Sequence, residues 1–218
     1  MIKALIFDMD GLLINSENFW QESECKIFNS IGISTSEEMF EPFMGKKIDE
    51  VVDIMWTKHK WNSPSKTEVV GAIVENVIQL VIEKGEALPG VVETLNALKE
   101  TSFKVALASS SKMKIINAVL EKLMLRDYFE VVHSAEFETY GKPHPQIFIS
   151  TAQMLDVNPS ECIVFEDSLN GVIAALAANM KCIAIPEPTA SNGDKFIIAD
   201  KILNSLNDFK ISDINNLE

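Results

Sequence analysis

Short apolar runs alternating with helical patterns predict an α/β fold: a doubly wound, Rossmann-like parallel sheet with an all-helical segment inserted after the first strand. Two observations carry this. Ala4-Leu5-Ile6-Phe7, Val105-Ala106-Leu107-Ala108, Cys162-Ile163-Val164-Phe165 and Cys182-Ile183-Ala184-Ile185 are bounded by polar or turn residues and do not alternate, as strands buried on both faces do. No comparable run interrupts residues 17 to about 84, where apolar residues recur at helical spacing instead.

Taken in order, the first run leads into helical patterns at Glu17 to Ile31, Lys46 to Trp61 and Lys66 to Lys84. The second puts Ile48, Val51, Val52, Met55 and Trp56 on one stripe; the third does the same with Val70, Ile73, Val74, Val77, Ile78 and Val81. Ser65-Lys66-Thr67-Glu68 is a capping box that opens the third helix. Gly85 to Gly90 returns the chain to the sheet. Further helices are predicted over Lys112 to Lys122, Pro145 to Leu155 and Leu169 to Asn179. The expected organisation is a core of residues 1–16 and 85–218 with a helical cap of residues 17–84. Inserted at the carboxyl end of a strand, the cap would sit over the crevice where such sheets bind ligands.

The 218 residues include 19 Lys and Arg against 32 Asp and Glu, a formal charge of −13, and 47% are apolar. The length suits one compact domain carrying an insertion, and the composition excludes intrinsic disorder. The acidic excess argues against nucleic acid and anionic membranes, which require clustered Lys and Arg. Cys25, Cys162 and Cys182 form no C-x-x-C pair, so a disulfide framework is not expected and a reducing cytoplasm fits. Cys162 and Cys182 open apolar runs and read as core. The apolar stretch in MIKALIFDMDG is too short for a signal peptide, and no uncharged apolar run approaches the length of a membrane span. The expected location is cytoplasmic.

The chemistry clusters after the strands. Asp8 and Asp10 follow the first run, and a period of two sends them to the same side; Glu166 and Asp167 follow the third run in the same way. Both sets emerge at the carboxyl edge, so as many as four carboxylates share one cleft. They would repel one another and take up protons unless a cation intervened. Carboxylates, a carbonyl and waters are the ligands Mg²⁺ prefers. A calcium-binding helix–loop–helix would need an aspartate where Ile6 lies inside the strand, so that reading of Asp-x-Asp-Gly fails. Ser109-Ser110-Ser111 ends the second strand just before a helix, where hydroxyls and free backbone N–H groups form a phosphate site; its plainer reading is a helix cap by Ser111. Gly141-Lys142-Pro143-His144-Pro145 holds one lysine in a proline-braced loop. His59, His133 and His144 lack zinc-ligand spacing.

Together, Phe-Asp-Met-Asp-Gly, the serine ending the second strand, Gly-Lys-Pro-x-Pro and Phe-Glu-Asp-Ser resemble the four motifs of the haloacid dehalogenase superfamily, in order and spanning nearly the whole chain. The helical insertion resembles the cap of the subgroup that contains β-phosphoglucomutase and small sugar phosphatases. Asp10 to Ile14, Met44 to Asp49 and Trp61 to Ser65 are similar to stretches of bacterial hexitol and 2-deoxyglucose-6-phosphate phosphatases.

The resemblance implies a covalent mechanism. Asp8 attacks phosphorus and forms an aspartyl-phosphate. Asp10 protonates the departing alkoxide and later takes a proton from the hydrolytic water. Mg²⁺ is held by Asp8, the Asp10 carbonyl and Asp167, with Glu166 binding directly or through water. Ser109, Ser110 and Lys142 hold the phosphoryl oxygens. Glu17 and Lys47 are the cap's candidate substrate contacts. Trp20, Trp56 and Trp61 could stack on a sugar face, although Trp56 fits the apolar stripe and reads as cap core.

The expected substrate is a small phosphorylated metabolite, a hexose or hexitol phosphate such as 2-deoxyglucose 6-phosphate, handled by a monomer without nucleic acid or membrane. Asp10 is at odds with a metal-free dehalogenase. A β-phosphoglucomutase-like mutase would be expected to carry a cap histidine soon after the first motif, where this chain has Asn18-Phe19-Trp20. Phosphoglycolate and nucleotides remain alternative substrates, and Asn15 stands where the family often has aspartate.

Overall fold

The computed structural model describes residues 1–187, 195–215 and 217. Six parallel strands form one sheet: β1 (Ala4–Phe7), β2 (Lys104–Ser109), β3 (Val131–Ser134), β4 (Cys162–Glu166), β5 (Lys181–Ala184) and β6 (Lys201–Ile202). Their spatial order is β3-β2-β1-β4-β5-β6, so the winding reverses between β1 and β4. Phe7 pairs with Leu107 on one side and Phe165 on the other, which brings the residues after β1, β2 and β4 to one edge.

Both faces of the sheet are buried, which is why its strands show no alternation. Leu5, Phe7, Leu107, Ile163 and Phe165 point to one face, where the Phe7 and Phe165 rings stack at 4.4 Å. Ala4, Ile6, Ala106, Ala108, Cys162, Val164, Cys182 and Ala184 point to the other. That second face is built largely of small residues, and α6 (Gln146–Met154) and α7 (Leu169–Ala177) pack against it.

Between β1 and β2 the chain forms α1 (Glu17–Ser30), two short 3₁₀ turns at Glu37–Met39 and Glu41–Phe43, α2 (Ile48–His59) and α3 (Lys66–Lys84). α3 packs against both α1 and α2 and reaches α5 (Met113–Lys122). Its start is the expected capping box: Ser65 accepts from the Glu68 N–H, and the Glu68 carboxylate accepts from the Ser65 N–H. Trp56 departs from the sequence reading. It is half-buried, donates to the Trp61 carbonyl at 3.1 Å and lies under the Lys60 ammonium instead of packing in the cap core.

The elements not anticipated include β3, β6, α4 (Val91–Lys99) and the short helix α8 (Ile211–Asn215). β3 and β6 lie at the sheet edges, and each is too short or too polar (Val-Val-His-Ser and Lys-Ile) to stand out as an apolar run. α4 buries Val91, Leu95 and Leu98, a stripe of only two and a half turns after Gly90. No helix among the described residues is long and apolar enough to cross a membrane.

Candidate active site

The winding reversal between β1 and β4 opens a crevice at their carboxyl ends, and each strand delivers an acidic pair there. Oxygens of Asp8, Glu166 and Asp167 all lie within 4.8 Å of one another. All three side chains are buried, as is Lys142, which is fully inaccessible. Its ammonium donates to Asp8 Oδ1 at 2.8 Å and makes a short contact with Glu166 Oε1. Glu166 also accepts from the Ser168 N–H and hydroxyl, and Ser168 caps α7 by accepting from the Gly171 N–H. Two glycines permit this crowding. A Cβ on Gly11, whose φ is +74°, would overlap the Asp167 carboxylate, and one on Gly171 would overlap that of Glu166.

One lysine does not neutralise this cluster. Burial pushes the Asp8 carboxyl up to about 7, with the Lys142 charge pulling back and Glu166 and Asp10 pushing further up. Asp167 rises well above the carboxylate range through burial and the neighbouring Glu166 and Asp8. Burial alone would lower Lys142, but Asp8 and Glu166 outweigh it and hold the ammonium above the ordinary lysine range. The donor set is all oxygen and short of positive charge, which suits a hard divalent cation.

Asp10 occupies a different environment. Oδ1 accepts from Ser16 at 2.6 Å and from the Trp20 indole at 3.0 Å; Oδ2 accepts from Ser111 at 2.7 Å and from Ser109 at 3.3 Å. Its carboxylate therefore bridges the start of α1 and the loop after β2. Ser111 does not cap a helix as its plainer reading had it: α5 starts at Met113 with Lys112 in the cap position. Ser110 donates to the Gly45 carbonyl at 2.7 Å.

These groups open onto one cavity. Asp8, Asp10, Asp167, Ser110 and Ser111 form its floor, and its walls include Glu17, Trp20, Gln21 and Glu24 of α1, Phe40, Phe43, Lys46, and Ile48 and Val51 of α2. Of the sequence-predicted site residues, Glu17 belongs here; burial, Asp10 and Asp8 raise its carboxyl to about 8. Lys47 does not line the cavity. Its ammonium donates to the Glu138 carbonyl at 2.9 Å, because the N-terminus of α2 presents it to the loop before Lys142. Lys46 is the cavity lysine instead. Gln21, Glu24, Phe40 and Phe43 escaped sequence reading. The available signal was an acid, Glu24, on the buried side of α1 beside Ser23 and Phe28.

The family model described as haloacid dehalogenase-like hydrolase matches residues 5–185. Hexitol phosphatase B of Escherichia coli is 42% identical over 214 residues, covering 98% of this chain and 96% of that protein. A phosphorylated carbohydrates phosphatase of Thermotoga maritima is 31% identical over 182 residues, 84% of each chain. Among solved structures, β-phosphoglucomutase from Clostridium difficile superposes with a TM-score of 0.89 at 28% identity, covering 100% of this chain and 97% of that one.

Proposed function

Since the chain belongs to the haloacid dehalogenase-like hydrolase family, we propose that it is a Mg²⁺-dependent phosphatase of hexose or hexitol monophosphates. One observation carries the chemistry: a buried lysine bridging Asp8 and Glu166 beside Asp167, at the winding reversal of the sheet. The relatives named as hexitol and phosphorylated-carbohydrate phosphatases support the substrate class.

Asp8 is the nucleophile. Its Oδ1 is held by Lys142, and Oδ2 accepts no hydrogen bond among the described residues. An Asp8 oxygen bonds to phosphorus as the bond from phosphorus to the sugar oxygen breaks, splitting a difficult hydrolysis into two displacements. Asp10 gives the leaving oxygen its proton, then takes one from the water that attacks the aspartyl-phosphate. Lys142, Ser109 and Ser110 receive the phosphoryl oxygens. Asp8, Asp167 and Glu166 are the side chains that would hold Mg²⁺, with the Asp10 carbonyl; bound there, the ion offsets phosphoryl charge. Residues 17–84 act as a cap, closing over the substrate and excluding bulk water.

Phosphate release from a panel of phosphometabolites tests this, run with Mg²⁺, with EDTA and with Asp8→Ala. Hexose or hexitol 6-phosphates turned over best, only with metal and only with Asp8, is the expected result. Best turnover of phosphoglycolate or nucleotides would keep the chemistry and reject the substrate class. Interconversion of glucose phosphates without release would replace hydrolysis by a mutase reaction.

A further inference from the structure

Glu24 has no structural reason to be where it is. Its side chain is 5% exposed, yet it makes no ion pair and accepts no hydrogen bond among the described residues. No fully buried side-chain oxygen among the described residues lacks a partner, so the Glu24 carboxyl oxygens are ones reached from the cavity. Glu24 lines the cavity over Asp8, on the same helix as Gln21 and Glu17. Glu17, Gln21 and Glu24 occupy positions i, i+4 and i+7, one face of α1. Glu24 therefore sits about 10 Å along the helix from Glu17, which stands at the nucleophile's end. That separation suits a carbon chain extending from a phosphate on Asp8, not a two- or three-carbon fragment.

The remaining walls describe what such a chain is like. Phe40, Phe43, Ile48 and Val51 offer apolar surface for C–H groups. The α1 face offers two carboxyls and an amide, and Lys46 is the cavity's lysine. Two acids disfavour a second phosphate or carboxylate at the far end. Hydroxyls suit it, since each donates to a carboxyl oxygen and leaves its carbon free to pack on an apolar wall.

We propose that Glu24, assisted by Gln21, is a specificity-determining residue that accepts hydrogen bonds from the distal hydroxyls of a polyhydroxylated chain. This rests on the phosphatase reading above and adds to it a position that reads the part of the substrate remote from phosphorus.

The test compares kcat/KM for sorbitol 6-phosphate with that for 4-nitrophenyl phosphate, which has no distal hydroxyls, in the wild type, Glu24→Met and Glu24→Gln. Loss of a hydrogen bond of this kind lowers the ratio of the two values by about 10–100-fold in Glu24→Met. Glu24→Gln, which keeps an acceptor oxygen, recovers most of that loss. The melting temperature of Glu24→Met should match or exceed the wild type's, because nothing in the fold bonds to the carboxyl. A ratio unchanged in Glu24→Met, or a variant that melts well below the wild type, overturns the inference while leaving the phosphatase reading intact. A wild type that hydrolyses no hexose or hexitol phosphate overturns both.

Discussion

Without metal, the protein should lose stability as pH rises through neutrality. The Asp8 carboxyl titrates at about 7 in the folded chain against 3.8 when unfolded. Between those values the folded state holds a proton that the unfolded state has lost, so raising the pH favours unfolding. Each pH unit of separation is worth about 1.4 kcal/mol, which makes Asp8 alone responsible for roughly 4 kcal/mol. Glu17 and Asp167 are raised too and act in the same direction, but the three interact, so we take about 4 kcal/mol for the cluster instead of a sum. Lys142 is raised, and its contribution is complete below the unfolded lysine value, so it cancels across this window. About 1.6 kcal/mol of this is already lost by pH 5, so about 2.7 kcal/mol is lost between pH 5 and pH 8.5, which for a chain of this length is a fall of about 5–11 °C in Tm. Calorimetry in EDTA measures this. Mg²⁺ at about 100 times its Kd should return about 2.7 kcal/mol at pH 8.5 and flatten the profile. An EDTA profile that is level or rises with pH, or no Mg²⁺ stabilisation at pH 8.5, would refute the reasoning.

Lys142→Met leaves buried carboxylates uncompensated and should cost about 3–5 kcal/mol at pH 8, less at pH 5, as read by urea denaturation. Equal stability at both pH values would mean that Lys142 is not their counter-charge. Gly171→Ala forces the Glu166 carboxylate aside, with an expected loss of about 1–3 kcal/mol and of Mg²⁺-dependent stabilisation, both measurable by thermal melts. Ser65→Ala removes the α3 capping box and should cost about 1 kcal/mol in the same assay.

The legible parts of this molecule were local. A capping box fixes α3 at Lys66 because the bonds that start the helix span three residues. Asp8, Asp10, Glu166 and Asp167 could be placed at one edge because each pair directly follows a buried strand, and a parallel sheet aligns those ends. The cavity walls were not legible in this way. Phe43 lies in a 3₁₀ turn and Phe40 joins that turn to the one before it, with no periodicity, and which of Lys46 and Lys47 faces the cavity depends on how α2 is rotated against the loop before Lys142. β3 and β6 escaped because edge strands need less apolar surface than central ones.

The bonds tying the helical segment to the sheet fall beside the reacting groups. Ser110 donates to the Gly45 carbonyl and Asn170 to that of Met44. Lys47 donates to the Glu138 carbonyl, and Glu50 accepts from the Gly141 N–H, next to Lys142. Lys112 pairs with Asp49 across the same seam at 2.8 Å. Residues following β2, β3 and β4, the last of them in the first turn of α7, thus each bond to residues 44–50. Such half-exposed bonds contribute about 1 kcal/mol apiece, and on the proposed function their sum would hold a cap closed while still letting it open to release a product. The same stretch also supplies Met44, Gly45, Lys46 and Ile48 to the cavity wall. On the proposed function, the seven-residue stretch that ties the helical segment to the sheet edge would also be the one that meets the substrate. The sheet edge can keep one phosphoryl chemistry while the facing helices set what is attached to the phosphate.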